Sequence, residues 1–550
     1  MFRNVFVSAL ALTLLSLLPG GCGREATRAP CPAGQTCFHL GNSTEPGTLD
    51  PQKSTGVYED SIISELLVGL TQDDAHGRAE PGMAERWSVS PDGLTWTFHL
   101  RPALWSDGVP VTAADFVYSL RRTVDPRSVS EFASLLYVLR NARPIVEGKA
   151  AVDTLGVREV DSRTLEITLE HPAPYLPELL KHHSAYPLPR HVVERWGADW
   201  TKPGRYVSNG PFLLAEWRLG DFVRLVRNPR YWDARSVCLD QVFYYPTSDS
   251  VAAERRVLRG ELDANTDIQS NRIAHLRENP RTAPYVRTHT YLGTAYIAFN
   301  SGPESRNPAL RDPRVRRALS LAIDRDFITR KLLRGGQAPA YGFTPPGVAN
   351  YPARGVRVAW ADWPLARRQA EARRLLAEAG YGPGGRPLKL ELKHRNTPDP
   401  MLLAPAIQAD WRAVGVDVQL AQQETQIAYQ DYRLRNFDAA DAAWIADYND
   451  PLTFLYIHRS DTGSQNYGDY ANPAFDALLD AADREPDAGR RAALLARAEA
   501  MMLADAPVAP VFFYVSKNLV SPRFSGWTDN LVDRHRMRLV CPRRVGSDGP

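Results

Sequence analysis

The chain has 550 residues, a formal net charge of +3, 43 prolines and 37 glycines. That length predicts roughly three to four domains rather than one core. The near-neutral charge, with Lys and Arg interspersed among acids, excludes a nucleic-acid binder, which needs a concentrated basic face.

At the N-terminus, Arg3, an apolar run over 5–18 and the small residues Gly20-Gly21 ahead of Cys22 form an export signal. Small residues directly before a cysteine match a lipoprotein processing site, although Pro19 stands where Leu is usual, so Cys22 is the expected lipidation site. No later segment has the unbroken apolar length of a membrane span. Export permits disulfides. With Cys22 acylated, Cys31, Cys37, Cys238 and Cys541 remain, an even set with three pairings. In one of them Cys31 and Cys37 close a short loop while Cys238 and Cys541 make a long-range tie. The cysteine spacing is not that of a zinc site.

Further along, Thr95–Leu100 alternates, with Trp96, Phe98 and Leu100 on one face, which predicts a half-buried strand after a Pro91-Asp92-Gly93 turn. Thr112 and Asp115 make a capping box with Val111 and Phe116 in staple positions, so a helix begins at about Ala113. His182 and His183, being adjacent, are expected to diverge and sit at the surface rather than share a metal. Asp312 and Pro313 start a helix whose buried stripe is Val315, Leu319, Ala322 and Ile323, and Gly335-Gly336 is its expected end. A helix over 364–379 closes at Gly380. Leu388, Leu390 and Leu392, a helix over 402–413, then Val416, Val418 and Leu420 form a strand-helix-strand unit, hence an α/β fold with partly parallel strands.

The run over 439–446 reads as buried strand interrupted by Asp441, and Asp447 follows where Asn449 and Pro451 signal a loop. A carboxylate at the end of a buried strand is costly unless a cation or hydrogen-bond donors meet it. A turn cap would account for such an acid. A fixed counter-charge at the mouth of a ligand cleft is the sharper reading. Phosphate loops, nucleophile elbows and paired-histidine zinc helices are all missing from the sequence. Asp447 and Asp450 do not by themselves make an acid–base pair. No enzyme activity, cofactor or metal is therefore expected.

Nine motifs follow one another over about residues 40–540: Thr48-Leu49-Asp50-Pro51, Gly56-Val57, Ala84-Glu85-Arg86-Trp87, Trp96-Thr97-Phe98-His99-Leu100-Arg101, Asp115-Phe116-Val117-Tyr118-Ser119, Asn209-Gly210, Arg227-Asn228-Pro229-Arg230-Tyr231-Trp232-Asp233, Ala322-Ile323-Asp324-Arg325 and Ala446-Asp447-Tyr448-Asn449. Together they resemble the extracytoplasmic solute-binding proteins of peptide ABC importers (solute-binding protein family 5), and most closely the oligopeptide-binding type of Gram-negative bacteria. The resemblance implies a two-lobed, hinged periplasmic-binding-protein-like fold with an extra domain in the larger lobe. Its expected divisions are a signal peptide at 1–21, lobe 1 (domain I) at 22–67, 192–292 and 515–550, the extra domain (domain II) at 68–191 and lobe 2 (domain III) at 293–514. It further implies a periplasmic monomer that captures oligopeptides and delivers them to the transmembrane subunits of an ABC permease, touching the membrane only through a lipid on Cys22.

Within the cleft, the resemblance assigns Asp447 to the α-amino group of the peptide. Trp444, Ala446, Val57, Gly56 and Tyr296 would line the peptide backbone, and Phe132 and Phe513 would be apolar walls. Peptide backbone can pair like an added strand, and hydrated pockets tolerate varied side chains. Some positions depart from the pattern. Met401, Tyr432 and Asp441 stand where relatives that grip short peptides carry basic residues, and Thr425 replaces an aromatic. Gly293 and Ile445 replace a disulfide pair. Longer or differently anchored peptides are the expectation. The competing readings are the same fold holding a nickel chelate, haem or glycoside, an exported hydrolase, and a peptide receptor that docks to a sensor.

Overall fold

The computed structural model describes residues 28–54, 56–382 and 385–543. The expected export signal and the expected lipidation site Cys22 lie outside the described residues. The alternation at Thr95–Leu100 becomes the inner face of a four-stranded antiparallel sheet ordered Ala84–Val89, Thr95–Leu100, Thr164–Thr168, Val157–Asp161. Trp96, Phe98 and Leu100 are buried there, while Thr95, Thr97 and His99 are half-buried on the other face. The helix Ala113–Val124 starts on the expected capping box, with Thr112 N–H donating to Asp115 Oδ2 at 2.9 Å. It covers the sheet with Phe116, Leu120 and Val124.

A seven-stranded sheet gathers pieces from three parts of the chain. Its order is Val286–Arg287, Asn518–Val520, Ala264–Asn265, Cys37–Gly41, Gln241–Tyr245, Phe222–Arg227, Phe212–Arg218. Cys37–Gly41 is parallel to both neighbours and buried along its whole length, as a strand covered on two faces must be. A six-stranded sheet is ordered Ala338–Pro339, Val508–Val515, Thr290–Phe299, Ala439–Ile445, Leu388–Arg395, Val416–Gln423. Its last two strands run parallel and are joined by the helix Pro398–Ala413, the expected strand-helix-strand unit. That helix starts four residues earlier than expected, with Thr397 extended at its N-cap position and prolines, preset for helix, in its first turn.

The chain passes between the two large sheets at 288–289 and again at 516–517, and these passages lie side by side. Ser516 N–H donates to His289 O at 2.9 Å, and His289 N–H donates to Ser516 Oγ at 3.1 Å. Cys31 bonds to Cys37 and Cys238 to Cys541.

Two expectations need correction. The helix begun at Pro313 ends at Ala322, well short of Gly335-Gly336. Arg325 is drawn fully into the core and donates to the carbonyls of Ala340, Pro510 and Ser320, and Asp324 caps a new turn at Phe327 N–H. A wide π-turn, Ile328–Leu333, then completes the segment, and Arg334 ends it in the left-handed region. His182 and His183 are buried, not superficial, and their rings lie 4.1 Å apart. His182 is extended and caps a short turn, so the divergence expected of regular structure does not apply. His183 is held by Asp60 (2.9 Å) and Ser54 (2.8 Å).

Candidate ligand-binding site

Three acids lie in or just beyond the strand Ala439–Ile445, and their partners separate them. Asp441 accepts from the Arg395 backbone N–H (2.8 Å), from Arg395 Nε (2.8 Å) and Nη2 (2.6 Å), and from Tyr432 Oη (3.0 Å). Asp450, fully buried, takes a two-pronged pair from Arg491 at 2.7 and 2.9 Å. Asp447 makes no ion pair within 4.0 Å among the described residues. Its backbone N–H donates to Thr453 Oγ1 (3.2 Å), and Thr453 Oγ1 lies 3.5 Å from its Oδ2. Burial pushes the Asp447 carboxyl up to about 7, against the smaller opposing pull of Arg534 and the Thr453 hydroxyl. Arg534 itself is engaged by Asp60 at 3.5 Å. Such a carboxylate is suited to a cation brought from outside.

The strand positions this acid. It runs antiparallel to Thr290–Phe299 until Gly293 faces Ile445, after which Ala446 N–H donates to Leu292 O at 2.9 Å and the chain turns away. Trp444, Thr294 and Phe513 stand opposite one another across three adjacent strands and so share a sheet face, with Tyr296 two residues on from Thr294. Trp444 and Ala446 are half-buried beside Asp447. Tyr296 (3% exposed) is packed edge-on against Phe343 at 5.0 Å, and Phe513 is buried on its strand. Phe132, Gly56 and Val57 lie outside the six-stranded sheet. Phe132 packs on His182 (4.5 Å) and His183 (5.7 Å), so its tie to Asp447 runs through His183, Asp60 and Arg534. Gly56 is half-buried and Val57 is 71% exposed at the start of the helix Val57–Leu66, one turn before Asp60.

Arg395, the partner of Asp441, was not legible in the sequence. It ends the strand Leu388–Arg395, and its Nη1 donates to Tyr429 Oη at 2.9 Å. With Asp441, Asp399 and Tyr296 it lines a cavity of about 20 Å³, room for about one water. The signal was the unpaired look of Asp441 within an apolar strand, but only the fold shows which arginine answers it. At Gly293, a Cβ would come 2.3 Å from Ile445 Cδ1, so the isoleucine occupies the space over the glycine.

Residues 78–466 match the family model "Bacterial extracellular solute-binding proteins, family 5 Middle". The periplasmic oligopeptide-binding protein OppA of Escherichia coli (strain K12) is 38% identical over 516 residues, covering 92% of this chain and 93% of that protein. Two solved structures are similar along almost their whole length. The Escherichia coli murein tripeptide binding protein MppA has TM-score 0.83 and 36% identity, with 93% of this chain and 99% of that one covered. Haemophilus influenzae OppA in complex with RPPGFSPFR has TM-score 0.81 and 33% identity, with 92% and 99% covered. The two-lobed fold, the extent of the match and the identity agree: this chain belongs to the family 5 bacterial extracellular solute-binding proteins.

Proposed function

We propose that this protein captures oligopeptides between two lobes outside the cytoplasm and hands them to an ABC permease. The observation that carries this reading is Asp447, a half-buried carboxylate with no ion pair within 4.0 Å among the described residues, while its neighbours Asp441 and Asp450 are both neutralised internally. The α-ammonium of a peptide supplies the missing charge. Relatives named for oligopeptide and murein tripeptide binding support the same class of ligand. Trp444, Ala446, Gly56, Val57, Tyr296, Phe132 and Phe513 are assigned to the cleft around it. A non-peptide ligand such as a nickel chelate, haem or glycoside offers Asp447 no primary amine.

The lobes are assigned as 22–67, 192–292 and 515–550 with the extra domain 68–191, against 293–514. Strand membership of the three larger sheets supports this division. The chain acts as a binding protein rather than an enzyme, as a monomer, exported by residues 1–21 and tethered through a lipid on Cys22. Two disulfides account for the other four of the five cysteines, which supports Cys22 as the modified one.

Native mass spectrometry of protein purified without refolding tests the ligand class. Co-purified masses that fragment as peptides, released intact, are the expected result. A non-peptidic ligand, or cleavage of an added peptide by the pure protein, would overturn the assignment.

A further inference from the structure

Where the first passage between the two large sheets meets the C-terminal segment lies a cluster that peptide capture does not use. His289, Asp533 and His535 each offer one ligand atom, and these atoms lie within 4.8 Å of one another. His289 Nε2 is 3.7 Å from Asp533 Oδ1, and His535 Nε2 is 2.9 Å from the same oxygen. Two donors on one tetrahedral ion at about 2.0–2.1 Å are about 3.4 Å apart. The observed spacings fall on either side of that separation, so modest side-chain shifts bring all three onto one centre. The side chains are 12%, 16% and 4% exposed, and His289 Nε2 is buried with no hydrogen-bond partner.

Neighbouring side chains fix the rings, and one of them caps the ligand atoms. Ser516 Oγ meets His289 Nδ1, which leaves Nε2 as the lone-pair nitrogen when Nδ1 carries the proton. Asn518 Nδ2 donates to Asp533 Oδ1 at 2.7 Å and lies 3.4 Å from His535 Nε2, so this amide rests on two of the three ligand atoms and an arriving ion displaces it. Trp527 stacks on the His535 ring at 4.1 Å and 18°. A hydrogen bond on the far ring nitrogen, as Ser516 gives His289, fixes ring orientation and tunes ligand basicity in metal sites. Arg534, between the two ligands in sequence, reaches Asp60 instead.

We propose that His289, Asp533 and His535 form a binding site for a divalent first-row transition-metal ion of the zinc class, set on the crossing between the lobes. Two imidazoles and one carboxylate suit such ions. A single carboxylate does not serve calcium or magnesium, which take six or more oxygens. Three protein ligands leave a coordination position open to water. No spacing motif announces the set, because its members come from opposite sides of lobe 2 in the sequence. A bound ion would tie the crossing strand to the C-terminal segment that carries Arg534.

Titration of the tag-free full chain with Co²⁺, read by visible absorption, and with Zn²⁺, read by calorimetry, tests the proposal. One equivalent is expected to bind with tetrahedral-type cobalt bands. His289→Gln and His535→Gln are each expected to weaken binding roughly tenfold or more. Near-UV circular dichroism selects the variants that stay folded. Absence of one-equivalent binding to the wild type, or unchanged affinity in every folded variant, would overturn it.

Discussion

Asp447 and Asp450 sit three positions apart, yet their chemistry differs because Arg491 reaches only one of them. For Asp447, closing a peptide ammonium against the carboxylate desolvates a charge pair, and removing one partner of such a pair costs about 2–5 kcal/mol. Asp447→Ala should therefore weaken peptide binding roughly thirty-fold to a few thousand-fold in calorimetry, and unchanged affinity would remove it from the site. Binding should also weaken as pH falls below about 7, by up to about tenfold per unit, because the ammonium needs the deprotonated acid. The same group makes a separate demand on stability. Between its ordinary value of 3.8 and about 7, the folded protein holds a proton that the unfolded chain has released, so stability declines as pH rises through this window and is level above it. Asp447→Asn removes that decline. Its advantage over the wild type should be absent near pH 4, grow to a few kcal/mol by neutral pH and stay constant beyond. Urea unfolding at several pH values checks this, and a gap independent of pH would show that the acid carries no such burden.

Among the elements, the pairing of Thr290–Phe299 with Ala439–Ile445 aims the site, and Gly293 with Ile445 is its last rung. Because Ile445 overlies Gly293, Gly293→Val should cost about 1–3 kcal/mol through overpacking. Adding Ile445→Ala should recover part of that loss, with a coupling of about 0.5–3 kcal/mol measurable by denaturant unfolding. Additive single and double variants would mean that the two side chains do not compete for one space. Elements whose instructions are local were legible in the sequence: the Thr112–Asp115 cap, the alternation at Thr95–Leu100 and the strand-helix-strand over 388–423. The early end of the Pro313–Ala322 helix was not, because Arg325 leaves it for carbonyls on other strands. The burial of His183 depends on Asp60 and Ser54, and that of His182 on packing against Phe132, all distant in the chain. Cysteine parity left three pairings, and only the approach of Cys238 to Cys541 selects one. Asp447 was conspicuous as an acid after an apolar strand, whereas the identity of Asp441's partner required sheet order.

Across the whole molecule, closure around a ligand is favoured only by contacts that the closed arrangement makes better. Two kinds of contact join residues 68–191, the proposed extra domain, to residues 293–514. Tyr175 stacks on Tyr448, the residue after Asp447, at 5.3 Å and 10°, with the Arg491 guanidinium 5.0 Å from the Tyr175 ring. Arg143 meets Asp461 at 3.4 Å, but both side chains are about half exposed. An exposed ion pair contributes at most about 1 kcal/mol and is screened by salt, whereas a buried aromatic pair contributes about 0.5–1.5 kcal/mol beyond its area. Tyr175 touches a neighbour of the ligand carboxylate without itself being assigned to the peptide. Its loss should therefore act through the closed-state population, not through direct contact. Tyr175→Ala is expected to lower peptide affinity roughly two- to tenfold, mostly by faster release. Arg143→Ala should leave affinity unchanged at physiological salt. Stopped-flow and calorimetric titrations of both variants with one peptide decide the matter. Equal affinities for Tyr175→Ala and the wild type would show that closure draws nothing from this stack.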